Sequence, residues 1–415
     1  MWMKPLAERT LPDAEWLHTS DLKHVVAALT DGDVRPRLVG GAVRDSLLGI
    51  PVTDIDLATP IHPKDVILRL EQAGIKAIPT GIDHGTITAV SDGKTYEITT
   101  LRRDVSTDGR RATVAFSDDW REDAARRDFT INALYADPIS GEIFDYFGGI
   151  EDLANGHLRF IGDADQRIAE DHLRILRYFR FLSRFGGNDA DPAALAACSH
   201  AANNLMALSR ERIASELMKI VSAATPLFAV SLMIKGQIFE GFLPELAQDA
   251  AANLERLLKR ESAFGLTATP TARLLSLLPA DAMVADKVAM RLKLSNRMRG
   301  EISARLKASL PVNPANMRVL AYYSDPETAR DLALLFADEP QVADCISLLN
   351  DWQVPAFPFK GGQLIVRGLT AGPLVARTLQ SIEKKWAESG FPTGPEFDAL
   401  VDQEVELALL SAKNA

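Results

Sequence analysis

The first third of the chain alternates short apolar runs with turn residues. These runs predict five strands, at residues 37–39, 54–57, 85–90, 96–101 and 143–146. Asp92-Gly93 lies between two of the runs, and this dipeptide is a strong β-hairpin signal. Two helices, near residues 42–48 and 62–73, interleave with the strands after a helical lead-in over residues 1–30. The pattern predicts an α/β or α+β head.

The pattern changes near residue 150, where Ala/Leu-rich helical periodicity replaces the strand signals. Prolines divide this second region into helices of ordinary length. We therefore predict an α+β protein in three parts. A head with a small mixed sheet and helices spans residues 1–150, an all-α neck spans 151–220, and an all-α body and tail spans 221–415.

Composition is that of a globular protein, since 47% of the 415 residues are hydrophobic and 25% are charged. No apolar run is long enough to span a membrane, and residues 1–9 lack the apolar core of a secretory signal. Two cysteines, Cys198 and Cys345, cannot form a disulfide framework, so we expect a reducing cytoplasm.

Net charge is −10, which by itself argues against a nucleic-acid partner. The arginines are not evenly spread, however. They cluster at residues 102–111, 126–127, 174–184 and 287–307. An acidic chain with such clusters can bind RNA along one basic channel, so the net charge limits where RNA binds without excluding it.

The first candidate site lies where the strand at residues 37–39 runs into a helix. Gly40-Gly41 at this turn let backbone N–H groups approach a phosphate, and Arg44 can pair with that phosphate in bidentate fashion. Asp54 and Asp56 follow on the next strand, where alternation places both carboxylates on one face. Two such carboxylates suit Mg²⁺ held between the protein and substrate phosphates.

The order Gly-Gly-x-Val-Arg-Asp, then Asp-x-Asp, resembles the head of nucleotidyltransferases of the polymerase β type. More narrowly, it resembles class II tRNA nucleotidyltransferases (CCA-adding enzymes) and bacterial poly(A) polymerases. The resemblance implies transfer of a nucleoside monophosphate from CTP or ATP to the 3′-hydroxyl of tRNA. It also implies two Mg²⁺ ions held by Asp54 and Asp56, which would activate that hydroxyl and stabilise the leaving pyrophosphate.

Further motifs extend the resemblance. Glu97, on the strand at residues 96–101, is either a third acidic residue beside the metals or a surface glutamate. Residues 102–111 are polar and contain glycine, which predicts a mobile loop; in the family a loop here helps the site change from cytidine to adenosine addition. Arg126-Arg127-Asp128 opens a family signature, in which we expect the arginines to hold triphosphate or ribose and Asp128 to orient one of them.

Residues 168–182 show the periodicity of one amphipathic helix. Ile168, Ile175, Leu176, Phe179 and Leu182 share its apolar side. The opposite side carries Asp171, Arg174, Arg177 and Arg180, which are either an ordinary solvated face or a nucleotide site.

Asp171 and Arg174 have the chemistry for base selection. A carboxylate that accepts from an amino group and a guanidinium that donates to a ring nitrogen match cytosine and adenine, whereas uracil and guanine present the reverse order. In the family this Glu-Asp-x-x-Arg motif selects CTP and ATP without a nucleic-acid template. Arg177 and Arg180 match further nucleotide-binding arginines of the family.

Two later segments are candidate RNA-binding regions. Residues 286–310 carry seven Lys/Arg against two acidic residues, and the resemblance implies roles for Arg291, Lys293 and Arg297. A solvated helix face explains this stretch equally well. Near the end of the chain, Lys360 and Gly372 lie at predicted helix starts, where free N–H groups can bind a phosphate.

Several alternatives remain. Bacterial poly(A) polymerases carry a basic segment after Asp-x-Asp, whereas residues 80–86 here resemble the CCA-adding pattern. Enzymes that add only CC or only A share the head, although the predicted loop at 104–111 favours full CCA addition. The paired aspartates disfavour a catalytically silent RNA-binding module, and the long helical region disfavours a nucleotidyltransferase of small molecules. The scattered histidines give no sign of a phosphohydrolase domain.

Overall fold

A seven-stranded mixed sheet forms the centre of the first part of the chain in the computed structural model, which describes residues 9–32, 34–108, 111–187, 189–307 and 310–413. The strands are β1 (Arg37–Val39), β2 (Ile55–Thr59), β3 (Lys76–Gly81), β4 (Thr86–Ser91), β5 (Lys94–Thr100), β6 (Arg102–Asp108), β7 (Arg111–Phe116), β8 (Leu134–Ala136) and β9 (Ile143–Asp145). The strand order is β3-β4-β5-β2-β1-β8-β9. Only β2 and β5 pair in parallel, and their register places Asp56 beside Glu97.

All five predicted strands are present, and two more complete the sheet. The sequence analysis missed β3 because this edge strand is mostly exposed and contains Pro79, which weakens a strand signal. It missed β8 because three buried residues give no alternation to read. The Asp92-Gly93 prediction is confirmed: Ser91 pairs with Lys94, and both turn residues have positive φ, as a type I′ hairpin requires.

A mobile loop was predicted at residues 102–111, and the loop part of this prediction is wrong, because residues 102–108 form β6 and Arg111 begins β7. Strands β6 and β7 form a separate antiparallel ribbon, whose register runs from Arg102 opposite Phe116 to Asp108 opposite Arg111. The tip, Gly109 and Arg110, lies outside the described residues. Strand β6 reads Arg-Arg-Asp-Val-Ser-Thr-Asp, and these mostly polar residues give no strand signal in the sequence.

From Gly149 onward every named element is helical, as predicted. The helices are α1 (Ser20–Ala28), α2 (Gly41–Leu47), α3 (Pro63–Gln72), α4 (Trp120–Ala125), α5 (Gly149–Asn155), α6 (Ala164–Glu170), α7 (Leu173–Phe185), α8 (Pro192–His200), α9 (Arg210–Val221), α10 (Pro226–Lys235), α11 (Ala250–Phe264), α12 (Pro270–Ser276), α13 (Ala282–Arg291), α14 (Asn296–Leu306), α15 (Met317–Tyr323), α16 (Pro326–Phe336), α17 (Val342–Ser347), α18 (Gly361–Val366), α19 (Pro373–Glu388) and α20 (Pro395–Lys413). Short 3₁₀ turns occur at Glu15–His18, Ile82–His84, Thr130–Asn132, Ala202–Ala207 and Glu339–Gln341.

The single helix predicted over residues 168–182 is two helices, α6 and α7. Asp171 between them is extended, with φ −151° and ψ 106°, and its Oδ1 accepts a hydrogen bond from the Leu173 N–H at 3.0 Å. This hydrogen bond satisfies a backbone N–H at the start of α7, so Asp171 caps a new helix there and the helix predicted over residues 168–182 is interrupted. The predicted apolar side is confirmed, because all five of its residues are buried.

Internal contacts divide the chain into two compact units, Met1–Pro244 and Glu245–Ala415. The division into head, neck, body and tail at residues 150 and 220 stays a prediction. The first unit contains the sheet together with α7, which packs against α9 and α10.

The second unit has its own interior. An aromatic cluster centres on Trp386, which is 2% exposed. Buried Arg305 and Asp331 form an ion pair at 2.6 Å, and Thr269 also donates to Asp331. Among the described residues no helix combines the length and the apolar character that a membrane crossing requires.

Candidate active site

The turn between β1 and α2 places Gly40, Gly41 and Arg44 at one side of a pocket of about 410 Å³. Gly40 has φ 67° and ψ −115°, a conformation that side-chain-bearing residues avoid. Arg44 is buried, and its guanidinium donates to Asn132 Oδ1 at 2.5 Å and to Asp45 Oδ1 at 2.9 Å. The structure therefore contains the turn that was predicted to bind phosphate, and hydrogen bonds to Asn132 and Asp45 fix the orientation of its Arg44 side chain.

The carboxylates predicted to bind metal lie at the start of β2 and on the adjacent β5. Asp56 lines the pocket, whereas Asp54 and Glu97 are exposed and lie outside its lining. Burial and the Glu97 carboxylate raise the pKa of Asp56 to about 6, with Asp54 adding to the rise and Arg127 opposing it. Burial is the largest cause of the rise, and the part that comes from the neighbouring carboxylates is repulsion that a bound cation would relieve.

Within the described ranges, no group of three or more His, Cys, Asp or Glu side chains is arranged to hold a metal by itself. The hard oxygen donors of Asp54 and Asp56, with Glu97 beside them, nevertheless have the chemistry that Mg²⁺ prefers.

Arg126 and Arg127 both line the pocket, at the end of α4. The expectation that Asp128 orients one of them is wrong. Both arginines are held instead by Asp123, which is one helical turn earlier: its Oδ1 accepts from Arg126 Nε at 2.8 Å and its Oδ2 from an Arg127 amino group at 3.3 Å. The spacing explains this, because side chains three and four residues apart share a helix face.

Asp128 orients a different arginine. Its Oδ2 accepts from Arg177 Nε at 2.7 Å, and its Oδ1 accepts from Asn132 Nδ2 at 3.0 Å. Asn132 in turn accepts from Arg44, so one hydrogen-bonded chain joins the three motifs. Burial alone would raise the pKa of Asp128, but Arg177 and the Asn132 hydrogen bond hold it below its ordinary value. The carboxyl group is therefore ionised at neutral pH.

Asp171 and Arg174 line the same pocket but do not pair with each other. Asp171 Oδ2 accepts from Arg212 on α9 at 2.9 Å. Arg174 donates to the Arg167 carbonyl at 2.9 Å and pairs with Glu170. Both side chains are thus held by protein partners while they face the pocket, although the helix break puts them on different elements.

Arg180 is placed differently from the other predicted nucleotide ligands. It pairs with Glu216 at 3.2 Å and lines a neighbouring cavity of about 750 Å³, which shares Arg44 and Phe181 with the pocket. The Phe181 ring lines both cavities and lies 4.5 Å from the Arg180 guanidinium and 5.3 Å from that of Arg44.

The predicted RNA-binding residues all lie in the second unit. Arg291 pairs bidentately with Glu245, whereas Arg297 is 86% exposed and has Glu301, one turn along α14, as its ion-pair partner within the described ranges. Lys293 follows α13 with φ 51°. Lys360 and Gly372 are the residues before α18 and α19, as predicted.

Sequence reasoning missed four residues of this site: Asp123, Asn132, Phe181 and Arg212. The helical spacing of Asp123 to Arg126 and Arg127 was a readable signal. Asn132 stands inside the signature that was recognised. Arg212 carries no local signal, because it meets Asp171 only through the packing of α9 on α7.

Known proteins resemble this chain along most of its length. Two family models match, one described as the Poly A polymerase head domain over residues 36–159 and one as a probable RNA- and SrmB-binding site of polymerase A over residues 189–249. Mus musculus CCA tRNA nucleotidyltransferase 1, mitochondrial, is 36% identical over 92% of this chain and 89% of its own length. A CCA-adding enzyme of Leuconostoc mesenteroides is 31% identical over 88% of this chain and 90% of its own length.

Solved structures with the same fold include two CCA-adding enzymes. The CCA-adding enzyme of Bacillus stearothermophilus, in complex with CTP, superposes with a TM-score of 0.68 at 26% identity, covering 95% of this chain and 98% of that one. The Thermotoga maritima enzyme, complexed with tRNA, has the same fold, with a TM-score of 0.69 at 22% identity over 98% of this chain and 100% of that one.

The mixed sheet, the glycine turn and the arginine-lined pocket are those of a nucleotidyltransferase. With relatives above 30% identity along nearly the whole chain, the protein belongs to the class II CCA tRNA nucleotidyltransferase family.

Proposed function

We propose that this chain adds C, C and A in turn to the 3′ end of tRNA, taking the nucleotides from CTP and ATP in the pocket between β1, α4 and α7. The observation that carries the proposal is the composition of this pocket. Gly40, Arg44, Asp56, Arg127 and Arg174 come from separate motifs of the sequence and line one cavity. A cavity with many cations and few carboxylates suits a nucleoside triphosphate.

Asp171 and Arg174 select the base in this proposal. Arg174 keeps guanidinium donors for a ring nitrogen, and the Asp171 carboxylate can accept from an exocyclic amino group. Arg212 and Glu170 hold the two side chains from behind, which reduces the entropy lost when a base binds. UTP and GTP would place an N–H donor against the donors of Arg174 and a carbonyl acceptor against the Asp171 carboxylate. Each mismatch would cost about 1–3 kcal/mol.

Asp54 and Asp56 are the proposed holders of Mg²⁺, with Glu97 beside them. When bound, the metal supplies a Lewis acid that favours the deprotonated 3′-hydroxyl and neutralises charge on the phosphates. The chain's own contribution is to orient the triphosphate: Arg44, Arg126, Arg127 and Arg177 face the pocket with fixed guanidinium groups. These cations stabilise the charge that develops on the leaving pyrophosphate.

The relatives support the choice of substrates. Structures that share this fold are described in complex with CTP, with ATP and with tRNA. Poly(A) synthesis is disfavoured, because relatives covering about nine-tenths of the chain carry CCA-adding names. The same names disfavour the silent RNA-binding module and the nucleotidyltransferase of small molecules.

Incorporation of labelled nucleotides tests this proposal. The protein is incubated with Mg²⁺, a tRNA that lacks its 3′ CCA, and each triphosphate singly and in pairs. Two C residues from CTP alone, then one A once ATP is present, is the expected result. Long A tails on any RNA would establish poly(A) synthesis instead, and addition of C only or A only would identify a partial enzyme.

A chelator tests the metal. Excess EDTA should stop incorporation and added Mg²⁺ should restore it, whereas full activity in EDTA would contradict the assignment of Asp54 and Asp56.

The cytoplasm is the proposed compartment, because Cys198 and Cys345 are both buried and unpaired, as in proteins of reducing compartments. The mouse and human relatives are named as mitochondrial. Fractionation of the source cell with a tagged chain distinguishes the two locations.

A further inference from the structure

Asp123 lies behind the nucleotide pocket and does not line it. Its side chain is 1% exposed, while those of Arg126 and Arg127 are 15% and 19% exposed and reach the pocket. Burial of an ion is costly unless the ion is paired, so a carboxylate buried to this degree needs partners that compensate its charge.

Among the described residues, the groups that donate hydrogen bonds to this carboxylate lie at the pocket or in the strands beside it. Oδ1 accepts from Arg126 Nε at 2.8 Å and from the Arg102 backbone N–H, at the start of β6, at 3.3 Å. Oδ2 accepts from Arg127 at 3.3 Å and from the Tyr135 hydroxyl at 2.6 Å.

Tyr135 completes the arrangement. Its hydroxyl oxygen accepts from Arg127 Nε at 3.1 Å while it donates to Asp123. Arg127 is therefore held at two points by a closed cycle of hydrogen bonds. Burial alone would raise the pKa of Asp123, but Arg127, Arg126 and Tyr135 keep it below its ordinary value, so the carboxyl group stays charged.

We infer that Asp123 is a positioning residue for nucleotide binding: it holds the Arg126 and Arg127 guanidinium groups in the orientation in which they meet the triphosphate or ribose. The inference rests on the proposed function, because it assumes that the pocket takes CTP and ATP. The bond to Arg102 also ties the base of the β6–β7 ribbon to the same carboxylate. A displacement of the first residue of β6 would therefore move the Asp123 carboxylate and, with it, the guanidinium groups of Arg126 and Arg127.

The test is Asp123→Asn, which preserves shape and removes the charge. Dissociation constants of CTP and ATP are measured by calorimetry, and kcat and KM are measured with tRNA. Loss of charge-assisted holding should raise both nucleotide dissociation constants about 10- to 100-fold and leave KM for tRNA unchanged. A purely structural role would lower the active fraction, and with it kcat, at unchanged nucleotide affinity, and would overturn the inference.

Asp152→Asn is the matched control. Asp152 is also buried, at 3% exposure, and pairs with Arg159 at 2.9 Å, but Arg159 does not line the pocket. This variant should lose stability without losing nucleotide affinity. An equal loss of affinity in both variants would contradict a specific role for Asp123.

A double-mutant cycle identifies the route. In an Arg126→Ala, Arg127→Ala background, Asp123→Asn should have no further effect on nucleotide affinity, whereas a full additional loss would show that Asp123 does not act through these arginines. Should Asp123→Asn fail to fold, Tyr135→Phe keeps the carboxylate and removes one of the two points that hold Arg127. It should weaken CTP and ATP binding in the same direction, and unchanged affinity would refute the inference.

Binding and turnover separate this inference from the proposed function. If wild-type protein binds CTP and ATP but adds neither to tRNA, the proposed function fails while the role of Asp123 in binding is still measured. If wild-type protein adds CCA and the variant binds nucleotides normally, the role of Asp123 fails alone.

Discussion

At the scale of single residues, the selectivity proposed for the pocket depends on hydrogen-bond donors that are held in fixed orientations. Arg174 is 14% exposed and its guanidinium is held by Glu170 and by the Arg167 carbonyl. Arg174→Ala should lower the preference for CTP over UTP, because the group that penalises uracil is lost. We expect a fall of about 5- to 100-fold in the ratio of the two kcat/KM values.

The control for this change is Arg159→Ala, which removes an arginine of the same unit that does not line the pocket. Selectivity in that variant should equal that of wild type. If Arg174→Ala also keeps wild-type selectivity, Arg174 does not read the base.

Asp54 provides a second prediction at this scale. It is exposed, and within the described part of the chain its side chain accepts a hydrogen bond from Thr53 alone, at 3.3 Å, so the fold does not depend on it. Asp54→Ala should abolish transfer, since a metal ligand is lost, while the melting temperature and the affinity for tRNA stay at wild-type values. Filter binding of labelled tRNA beside the incorporation assay measures both, and residual transfer above one-hundredth of wild type would argue against the metal role.

At the scale of elements, the β1–α2 turn depends on one glycine more than on its neighbour. Gly40 has φ 67° and ψ −115°, so Gly40→Ala should cost about 1–3 kcal/mol of backbone strain. Gly41, already inside α2, has no positive φ, and a Cβ there would lie 3.7 Å from Arg44, an ordinary contact. Gly41→Ala should therefore leave stability unchanged or slightly raised, since alanine favours helix.

Urea unfolding of the two variants measures this difference. Gly40→Ala should also bind CTP more weakly, because the turn that presents N–H groups to the phosphate has to move. Equal unfolding midpoints for Gly40→Ala and Gly41→Ala would show that the turn is not under this constraint.

At the scale of the whole molecule, a net charge of −10 has to coexist with binding of a polyanion. Ion pairs within the protein determine which cations of the second unit are available to bind RNA phosphates. Arg291 is bound to Glu245 through two guanidinium nitrogens. Arg297 projects into solvent, and its exposed ion pair with Glu301 contributes little free energy. Of the predicted RNA contacts in this stretch, Arg297 is accordingly better placed to meet a phosphate.

The salt dependence of tRNA binding tests this point. Wild-type affinity should fall steeply with ionic strength despite the acidic net charge, because counterions are released at each phosphate contact. Arg297→Ala should reduce the slope of log K against log salt by about 0.7–0.9, the value for one contact. Arg291→Ala should leave the slope unchanged, and the reverse order would contradict the assignment.

The sequence was sufficient for features whose signal is local. The hairpin at Asp92-Gly93, the glycine turn at Gly40 and the apolar side of α7 each depend on residues a few positions apart, and all were predicted correctly. Local signals failed where a strand is mostly polar, as β6 is, or where one side chain capped a new helix, as Asp171 does.

Three pairings within the site join residues far apart in the sequence, and no local pattern records them. Asp128 meets Arg177 across 49 positions, Arg44 meets Asn132 across 88, and Asp171 meets Arg212 across 41. The motifs name which residues carry the chemistry, because triphosphates and metals require particular side chains. Which arginine Asp128 orients depends on the packing of α7 beside the sheet, and for that reason Asp128 meets Arg177 instead of the neighbouring arginines, which pair with Asp123 one helical turn earlier.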